Sequence, residues 1–368
     1  MRLATADDNA RLCSLFREVD MSAALCLAEE RDPDFFALQR AQGGQSYTCL
    51  LEPAEGGEAF GCASIMARDA WIDGNVQRIG YASDLRIESA HRNGRIFPEV
   101  IEHFMKFMQR REGIDLMYSA VLSSNQRGRN ALLNRGAQRQ GQPMAQVMTP
   151  YHMTSIQFTG KVAAPTVAVE QATQEHLPEL VALLAAEQKK RLFGEVVTQE
   201  WLQKRFNDWP DFSIENFYFV RNAQGKMVAC TALWDSSPHV RRERVLQYNG
   251  MMKVARKVFN LDARFRGFAP LPDEGHCFNF VYLTHTEVED DNPVWLNALL
   301  RGLYQRLQDQ KLHFMSLMIP EGSALSAAVK EFRVQTVAME LIAFTNEQSR
   351  WHGKSLRTQH PGFEMALH

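Results

Sequence analysis

A basic loop between an apolar run and a helix-like pattern holds the residues of this sequence that could do chemistry. The stretch DLRIESAHRNGRIFPEVIEHF covers residues 84–104, and its loop contains His91, Arg92, Asn93, Gly94 and Arg95. Pro98 stands in the expected first turn of the helix, where proline fits well. Backbone N–H groups at a helix N-terminus bind phosphate, and arginine and histidine side chains add charge-assisted hydrogen bonds. The stretch therefore predicts a diphosphate-binding loop.

Apolar periodicity identifies the elements that would hold this loop. Six apolar residues after the proline share one helical face: Val100, Ile101, Phe104, Met105, Phe107 and Met108. The run IDLMYSAVL, residues 114–122, follows and is typical of a buried strand. The loop is thus expected between a strand and an amphipathic helix. The same placement is also compatible with a simple basic turn that leads into the helix.

The chain repeats its pattern loosely. The segments ATADDNARLCSLF and ATQEHLPELVALL lie 168 residues apart, which sets Thr5 against Thr173. Each segment has a threonine-led polar start followed by an amphipathic helix. The same offset sets Cys62 of FGCASIM against Cys230 of VACTALW, and both cysteines lie in strand-like runs. The matches indicate an internal duplication.

A later pair of helices extends the duplication and gives the domain boundaries. PEVIEHFMKFMQ is similar to PVWLNALLRGLYQ, and a strand candidate follows each of them. We interpret the chain as two α/β domains, residues 1–160 and 165–350, joined by the small-residue segment TGKVAAPT. The polar residues 351–368 are expected to form a flexible tail.

The second half carries an insert, residues 235–276, that the first half lacks. The insert is rich in arginine: Arg241, Arg242, Arg244, Arg256, Arg264 and Arg266. Its middle, VLQYNGMMKVARKVF, has apolar residues at helical spacing. We interpret it as a helix that caps the sheet and exposes a basic face, with a lid or a site for an anionic ligand as the alternative. Nearby acids make nucleic acid an unfavoured partner.

Composition excludes several classes of protein. The 368 residues have a net charge of −2, which gives no overall attraction to nucleic acid or to an anionic membrane. The six cysteines are far apart, so neither a metal site nor a disulfide scaffold is expected. No apolar run approaches the roughly 20 residues that span a bilayer, and the polar N-terminal segment is unlike a signal peptide. We expect a cytoplasmic monomer or homodimer without a membrane partner.

The strand, basic loop and amphipathic helix resemble the acyl-CoA-binding core of the GCN5-related N-acetyltransferases, the GNAT superfamily. That family often has a strand LRV followed by a loop R-x-x-G-x-G/A. DLRIESAHR is similar to it, with Arg92 as the loop arginine. NQRGRNALLNRGA, from Asn125 to a closing Gly136, resembles the helix that follows in the family. The resemblance implies a mixed α/β (α+β) fold of two tandem GNAT-like domains, each a mostly antiparallel sheet flanked by helices.

The resemblance also implies a cofactor site in the first domain. Acetyl-CoA or another acyl-CoA would bind there as co-substrate. The residues that would contact it are Leu85, Arg86, Ile87, His91, Arg92, Asn93, Gly94, Arg95, Ile96, Phe97 and Asn125. The strand DLMYSAV would diverge from the DLRI strand to admit the pantetheine arm.

Two catalytic residues follow from the same resemblance. Asp84 stands where family members often have the base that deprotonates the amine, although a strand-end Asp bonded to a turn is an equal alternative. The family's tyrosine acid is replaced here by Leu132. Tyr118, or alternatively Tyr81, is the candidate for that role. General acid catalysis typically contributes about 10²–10⁴-fold.

The departures from the family pattern leave two functions open. Arg95 and Phe97 fall where the family has small residues that let the backbone approach phosphate closely. The expected function is an N-acyltransferase, most simply an N-acetyltransferase, that acts on a small-molecule or peptide amine. The alternative is a catalytically inactive GNAT-fold protein that binds a ligand or a partner.

The matching loop of the second half, THTEVEDDNPVW, is acidic instead of basic. Glu287, Glu289, Asp290 and Asp291 would repel a diphosphate. The second domain is therefore expected to lack a cofactor site. The loop is interpreted as a solvated acidic helix start, with a cationic amine or a metal as alternative ligands; His285 nearby is expected to be structural.

Overall fold

The computed structural model describes residues 1–17, 23–91, 96–133 and 143–368. In the first half (residues 1–160) the strands are β1 (Arg2–Leu3), β2 (Leu25–Glu30), β3 (Gln45–Leu51), β4 (Gly61–Ile72), β5 (Asn75–Ile87), β6 (Leu116–Leu122) and β7 (Met144–Gln157). The helices of this half are α1 (Asn9–Arg17), α2 (Ala37–Gln42), α3 (Ile96–Glu112) and α4 (Gln126–Leu133).

The second half, from residue 165 onward, repeats this order with additions. Its strands are β8 (Val169–Gln171), β9 (Gly194–Glu195), β10 (Phe217–Arg221), β11 (Met227–Trp234), β12 (Arg242–Tyr248), β13 (Phe280–Val288), β14 (Phe314–Pro320) and β15 (Val334–Thr345). Its helices are α5 (Leu177–Lys190), α6 (Gln199–Asp208), α7 (Met251–Arg266) and α8 (Pro293–Leu307). Thr5 and Thr173 each form a capping box at a 3-10 turn that leads into a helix, as their pairing in the sequence suggested.

β2 and β12 form a separate two-stranded ribbon, and the other thirteen described strands form one mixed sheet. Its order is β1-β3-β4-β5-β6-β15-β7-β14-β13-β11-β10-β8, and β9 pairs with β4. Most neighbours are antiparallel, whereas β5–β6 and β13–β14 are parallel. The order reads the same from either end when β1 is matched with β8, β3 with β10, β4 with β11, β5 with β13, β6 with β14 and β7 with β15. The predicted mixed α/β class, with a sheet flanked by helices, is confirmed.

The last strand of each half pairs inside the other half. β15 lies between β6 and β7, pairing with β6 from Met339 to Thr345 and with β7 along its length. β7 in turn pairs with β14. An internal repeat would produce this order. The halves nevertheless share one sheet, so the division into domains at residues 1–160 and 165–350 stays a prediction.

The helices bury the apolar faces that their periodicity indicated. On α3, Val100, Ile101, Phe104, Met105 and Met108 are buried against strands of the first half, and Phe107 is partly buried there. On α8, Leu296, Leu299, Leu300 and Leu303 occupy the matching place in the second half. Burial of such side chains contributes about 1.5–3 kcal/mol each, which is enough to fix both helices on the sheet.

The insert contains a strand where the sequence suggested only a helix. β12 pairs antiparallel with β2 of the first half, from Arg242 opposite Glu30 to Tyr248 opposite Leu25. α7 follows after a turn at Gly250, which has a positive φ of 52°. The first part of the segment predicted as helix is therefore strand, because its apolar residues are buried by a partner that is distant in sequence.

Residues 361–368 at the end of the C-terminal segment are buried or half-buried, so the flexible tail predicted over 351–368 is wrong for these residues. Met365, Ala366 and Leu367 are buried. The guanidinium of Arg241 donates to the main-chain carbonyls of Met365, Ala366 and His368 at 3.4, 3.1 and 2.6 Å. The prediction rested on the polarity of the segment alone. It could not include Arg241, which lies more than 120 residues away along the chain.

None of the described helices is long and apolar enough to cross a lipid bilayer.

The packing of the C-terminal segment predicts a loss of stability on truncating one of its side chains. Leu367→Ala leaves a cavity at a site that is 2% exposed, and we expect the free energy of unfolding to fall by about 2–5 kcal/mol. Chemical denaturation measures it. The matched control is Leu3→Ala, at a site that is 46% exposed, which should change it by less than roughly 0.5 kcal/mol. Equal small effects of both variants would contradict the packed segment.

Candidate active site between the parted strands

Strands β5 and β6 part midway along their length. They pair only at Gly80–Met117 and Tyr81–Tyr118, although β5 continues to Ile87 and β6 to Leu122. The gap between them is a cavity of about 570 Å³, here named the strand cavity. Residues 82–88 and 119–122 form two of its walls, and α3 and β15 contribute others. The resemblance predicted this divergence of the two strands.

A bulge at Asp84 turns β5 at the point of divergence. Asp84 has a positive φ of 57°, and the register between β4 and β5 shifts between Cys62 and Ser64. The Cys62 thiol donates to the main-chain carbonyl of Asp84 at 3.4 Å. Positive φ is costly for residues other than glycine, although Asp and Asn tolerate it best. The surrounding strands therefore hold a strained residue at the cavity wall.

The structure brings several of the predicted cofactor residues to the strand cavity and leaves others elsewhere. Leu85, Arg86, Ile87 and Asn125 line it. Ile96 instead packs against the apolar core under α3. His91 stacks its ring on Phe60 at 4.4 Å and does not line the cavity. Arg92, Asn93, Gly94 and Arg95 lie outside the described residues, as do Gly136 and the side chain of Phe97.

The carboxylate of Asp84 lines the strand cavity but is already bound. Arg31 Nη2 donates to it at 3.0 Å, and the Arg31 Nε group donates to Glu29. Arg31 is 2% exposed, and its Nη1 has no hydrogen-bond partner among the described residues. Both Arg31 and Glu29 line the cavity. A ligand oxygen in the cavity could therefore accept a hydrogen bond from this arginine.

Tyr118 lies behind the cavity wall and not in it. It is 1% exposed, and burial raises the pKa of its hydroxyl above the ordinary value. Arg68 Nη2 donates to the hydroxyl at 3.2 Å, and His368 Nε2 lies 3.3 Å from it. The alternative candidate, Tyr81, does line the cavity, with its ring centre 4.0 Å from that of His368.

His368 also lines the strand cavity, and the sequence did not predict it as a site residue. Burial lowers the pKa of its imidazole well below the ordinary value, so the ring is neutral. Nδ1 contacts the Glu364 carbonyl oxygen, which can only accept, so Nδ1 carries the proton and Nε2 is the acceptor. Tyr118 can therefore donate to Nε2. No motif marks this histidine, because its neighbours are assembled from segments far apart in sequence.

A second cavity lies along the β2–β12 ribbon. It has a volume of about 250 Å³, and we name it the aromatic cavity. Six of its lining residues are Tyr248, Phe259, Phe268, Phe278, Phe280 and Phe314. Glu243 contributes a carboxylate to this otherwise largely apolar wall. Such a cavity suits an apolar group that ends in a cation.

Two carboxylates connect the two cavities. Glu29, which lines the strand cavity, and Glu243, which lines the aromatic cavity, are cross-strand partners in the β2–β12 pair. Withdrawal from water, together with the charge of Glu29, raises the pKa of Glu243. Withdrawal from water acts on Glu29 as well, but Arg31 and Arg241 outweigh it and lower the pKa of Glu29. Two carboxylates whose pKa values are separated in this way can divide the roles of acid and base between them.

The matching place in the second half is filled by the chain itself. His285 has a positive φ of 50°, and Cys230 donates to its carbonyl at 3.7 Å, as Cys62 does at Asp84. The main-chain N–H of His285 donates to the Glu364 carboxylate at 2.7 Å. The remaining cavity is only about 60 Å³. This filling agrees with the expectation that the second half lacks a cofactor site, which nonetheless stays a prediction.

Cations of the protein neutralise the acidic loop of the second half. Arg191 pairs with buried Glu287 at 2.6 Å and with Asp291 at 3.5 Å. Lys226 pairs with Glu289. The interpretation of this loop as a merely solvated acidic helix start is therefore wrong for Glu287, whose carboxylate is needed to compensate a buried arginine.

Solved structures of similar fold include an N-myristoyltransferase and a probable N-acyltransferase. N-myristoyltransferase from Saccharomyces cerevisiae with bound myristoyl-CoA is 11% identical, covers 93% of this chain and 77% of its own, and has a TM-score of 0.60. A structure of the same enzyme with myristoyl-CoA and inhibitors is 12% identical over 95% and 81%, with a TM-score of 0.59. A conserved protein of unknown function from Enterococcus faecalis V583, described as a probable N-acyltransferase, is 8% identical over 95% and 73%, with a TM-score of 0.50.

Sequence comparison adds no closer relationship: no family model and no curated protein matches the chain. At the identities given above, structural similarity shows the fold alone. The chain therefore has the fold of N-myristoyltransferase over more than nine-tenths of its length. The strand cavity lies in the half whose loop carries the predicted diphosphate-binding residues.

Glu364, whose carboxylate fills the matching place in the second half, is expected to make the stability of the protein depend on pH. Burial raises the pKa of Glu364 from 4.5 to about 7. The folded state therefore holds this proton more tightly, and stability falls as pH rises from about 4.5 to about 7. We expect this group to cost up to about 3 kcal/mol across that window.

Chemical denaturation at pH 5 and pH 8 measures the effect of Glu364. The Glu364→Gln variant should lose the part of the pH dependence that this carboxyl causes, even if it is less stable at both values. Glu321→Gln, at an exposed site, should leave the dependence unchanged. The same pH dependence in Glu364→Gln and in the unaltered chain would count against a buried, protonatable Glu364.

Proposed function

We propose that this protein is an N-acyltransferase that moves an acyl group from CoA to an amine. The strand cavity is the observation that carries the proposal, because it opens where a parallel strand pair parts beside the start of α3. The S. cerevisiae enzyme of the same fold has bound myristoyl-CoA, which supports an acyl-CoA donor. Acetyl-CoA is the smallest such donor, and N-acetyl transfer is the simplest form of the proposal.

The donor would lie along the open edge of β5. Beyond Tyr81 this edge has no pairing with β6, so main-chain groups of residues 82–86 face the cavity and can bond the amides of the pantetheine arm. Arg127 and Asn125 line the cavity near the start of α4. The diphosphate would sit at the predicted loop of His91, Arg92, Asn93, Gly94 and Arg95, ahead of α3.

The acceptor would occupy the aromatic cavity. Its apolar body would pack among the rings, and its amine would reach Glu243 at the boundary with the strand cavity. An ammonium ion must lose a proton before it can attack. The Glu29–Glu243 pair is placed to accept it, since one member lines each cavity. The proposed acceptor class is therefore an amine with an apolar or aromatic body, whether a small molecule or a peptide.

The chemical step needs no group beyond these. The free amine attacks the thioester carbonyl carbon, a C–N bond forms and the C–S bond breaks. The proton of the amine passes to the carboxylate pair, and the CoA thiolate leaves and takes up a proton. A carboxylate whose pKa is raised to about 7, as burial raises that of Glu243, is efficient at such a transfer.

Asp84 and Tyr118, the catalytic residues predicted from sequence, receive modified roles in this proposal. Asp84 holds Arg31, and through it Glu29, in place. Tyr118 donates to His368, which lines the strand cavity, so it acts through that imidazole and not directly on the substrate. Both become positioning residues. A direct role of Asp84 as base remains the competing hypothesis.

Donor binding is tested by isothermal titration of the full chain with acetyl-CoA and with longer acyl-CoAs. We expect saturable heat that free CoA competes away. Arg127→Glu should weaken binding at least about tenfold, because it places a negative charge at the cavity that would hold a polyanion. Arg110→Glu, an exposed site at the far end of α3, should not. No heat with any of these donors, and no competition at millimolar CoA, would end the proposal.

The base is tested by acyl transfer to a panel of apolar and polar amines. Glu243→Gln should lower kcat by about 10²–10⁴-fold and remove the acidic limb of the pH–rate profile, which the raised pKa of Glu243 moves above that of an ordinary glutamate. Glu30→Gln is the matched control, since Glu30 lies in the same ribbon and pairs with Arg244. If Asp84→Asn alone removed the acidic limb, the base would be Asp84.

One observation supports the alternative hypothesis of a catalytically inactive binding protein. Leu132 is buried in the cavity wall at the place of the family's tyrosine acid. A ligand-binding protein on this fold would bind acyl-CoA in the titration but transfer no acyl group to any amine of the panel. The two readings are therefore distinguished by comparing binding with turnover.

A further inference from the structure

Helix α7 of the insert is apolar on two opposite sides. On its inner side, Met252 and Phe259 line the aromatic cavity. On its outer side is a row of large apolar residues that are 52–80% exposed: Met251, Val254, Val258, Leu261 and Phe265. At about 100° per residue these five positions fall within an arc of roughly 80°. They form one continuous strip along four helical turns, here named the α7 stripe.

Three cations flank the α7 stripe on one side. Lys253, Lys257 and Arg264 are exposed, and none of the described residues forms an ion pair with them. On the helical wheel they lie roughly 40–80° from Leu261, at the edge of the stripe. The other two cations of the helix are compensated, Arg256 by Asp273 and Arg266 by Asp262. Apolar surface and uncompensated positive charge therefore occur together.

We propose that the α7 stripe docks on the surface of an anionic lipid bilayer. The helix would lie in the plane of the headgroups, with its apolar side chains entering the boundary of the acyl region and its flanking cations meeting anionic headgroups. At 16 residues, five of them basic, α7 lies on the bilayer and does not cross it. The net charge of −2 for the whole chain conceals this property, because the relevant charge is local.

The charges favour a lipid surface over a second copy of this chain. α7 carries five cations and one anion. A second α7 packed against the stripe would bring three further uncompensated cations to the same seam, and like charges at short range repel. An anionic surface compensates the cations of α7 and covers the stripe at once.

Co-sedimentation of the full chain with lipid vesicles tests the proposal. Vesicles of phosphatidylcholine and phosphatidylglycerol at 3:1 should bind at least about tenfold more tightly than pure phosphatidylcholine, and 0.5 M NaCl should remove the difference. Val258→Glu combined with Phe265→Glu should lower binding at least about tenfold. Val294→Glu, on α8 at a site that is 56% exposed, is the matched control and should bind like the unaltered chain.

Each other outcome overturns the proposal. It fails if the unaltered chain does not sediment, if it sediments equally with neutral and anionic vesicles, or if the stripe variant sediments like the control. A dimer in light scattering that becomes a monomer in the stripe variant would assign the stripe to a second copy instead. Circular dichroism of both variants establishes that they are folded, as is expected of changes at exposed positions. The experiment does not involve acyl-CoA, so its result is independent of the proposed function.

Discussion

The exchange of last strands between the halves is the constraint on which the rest of the structure depends. β15 fills the place beside β6 that β7 would otherwise take, and β7 fills the corresponding place beside β14. One wall of the strand cavity therefore comes from β15, whose residues Met339 and Phe344 line the cavity together with residues of the first half. Neither half can complete its sheet alone. A site in one half is consequently built only when the whole chain has folded.

Charged side chains are concentrated between the two cavities. Arg31, Arg241, Glu29 and Glu243 come from the β2–β12 ribbon and its flanks, and Asp84 joins them from β5. Buried ion pairs add little stability over apolar packing, because desolvation offsets their attraction. On the proposed function the network has a chemical use, because it places one carboxylate at each cavity and separates the pKa values of the two.

The sequence predicted what local pattern determines and missed what distant segments assemble. The apolar face of α3 follows from periodicity, and the threonine caps at Thr5 and Thr173 follow from a local motif. The parting of β5 from β6 was implied by the family resemblance. The pairing of β12 with β2, the packing of residues 361–368 and the position of His368 do not, because each depends on partners from another part of the chain. Loop residues 92–95, which carried the original prediction, lie outside the described residues, so that part of the site stays a prediction.

The two sides of α7 give the insert a single physical explanation. A helix that only capped the sheet would gain nothing from an exposed apolar strip, which invites aggregation unless another surface covers it. A helix that covers the aromatic cavity with Met252 and Phe259 and rests on lipid through the α7 stripe has a use for both sides. On the proposed function, this arrangement would bring an amine with an apolar body to the cavity from the bilayer. Such a substrate is poorly soluble in water, and the closeness of the cavity to the membrane would offset that disadvantage.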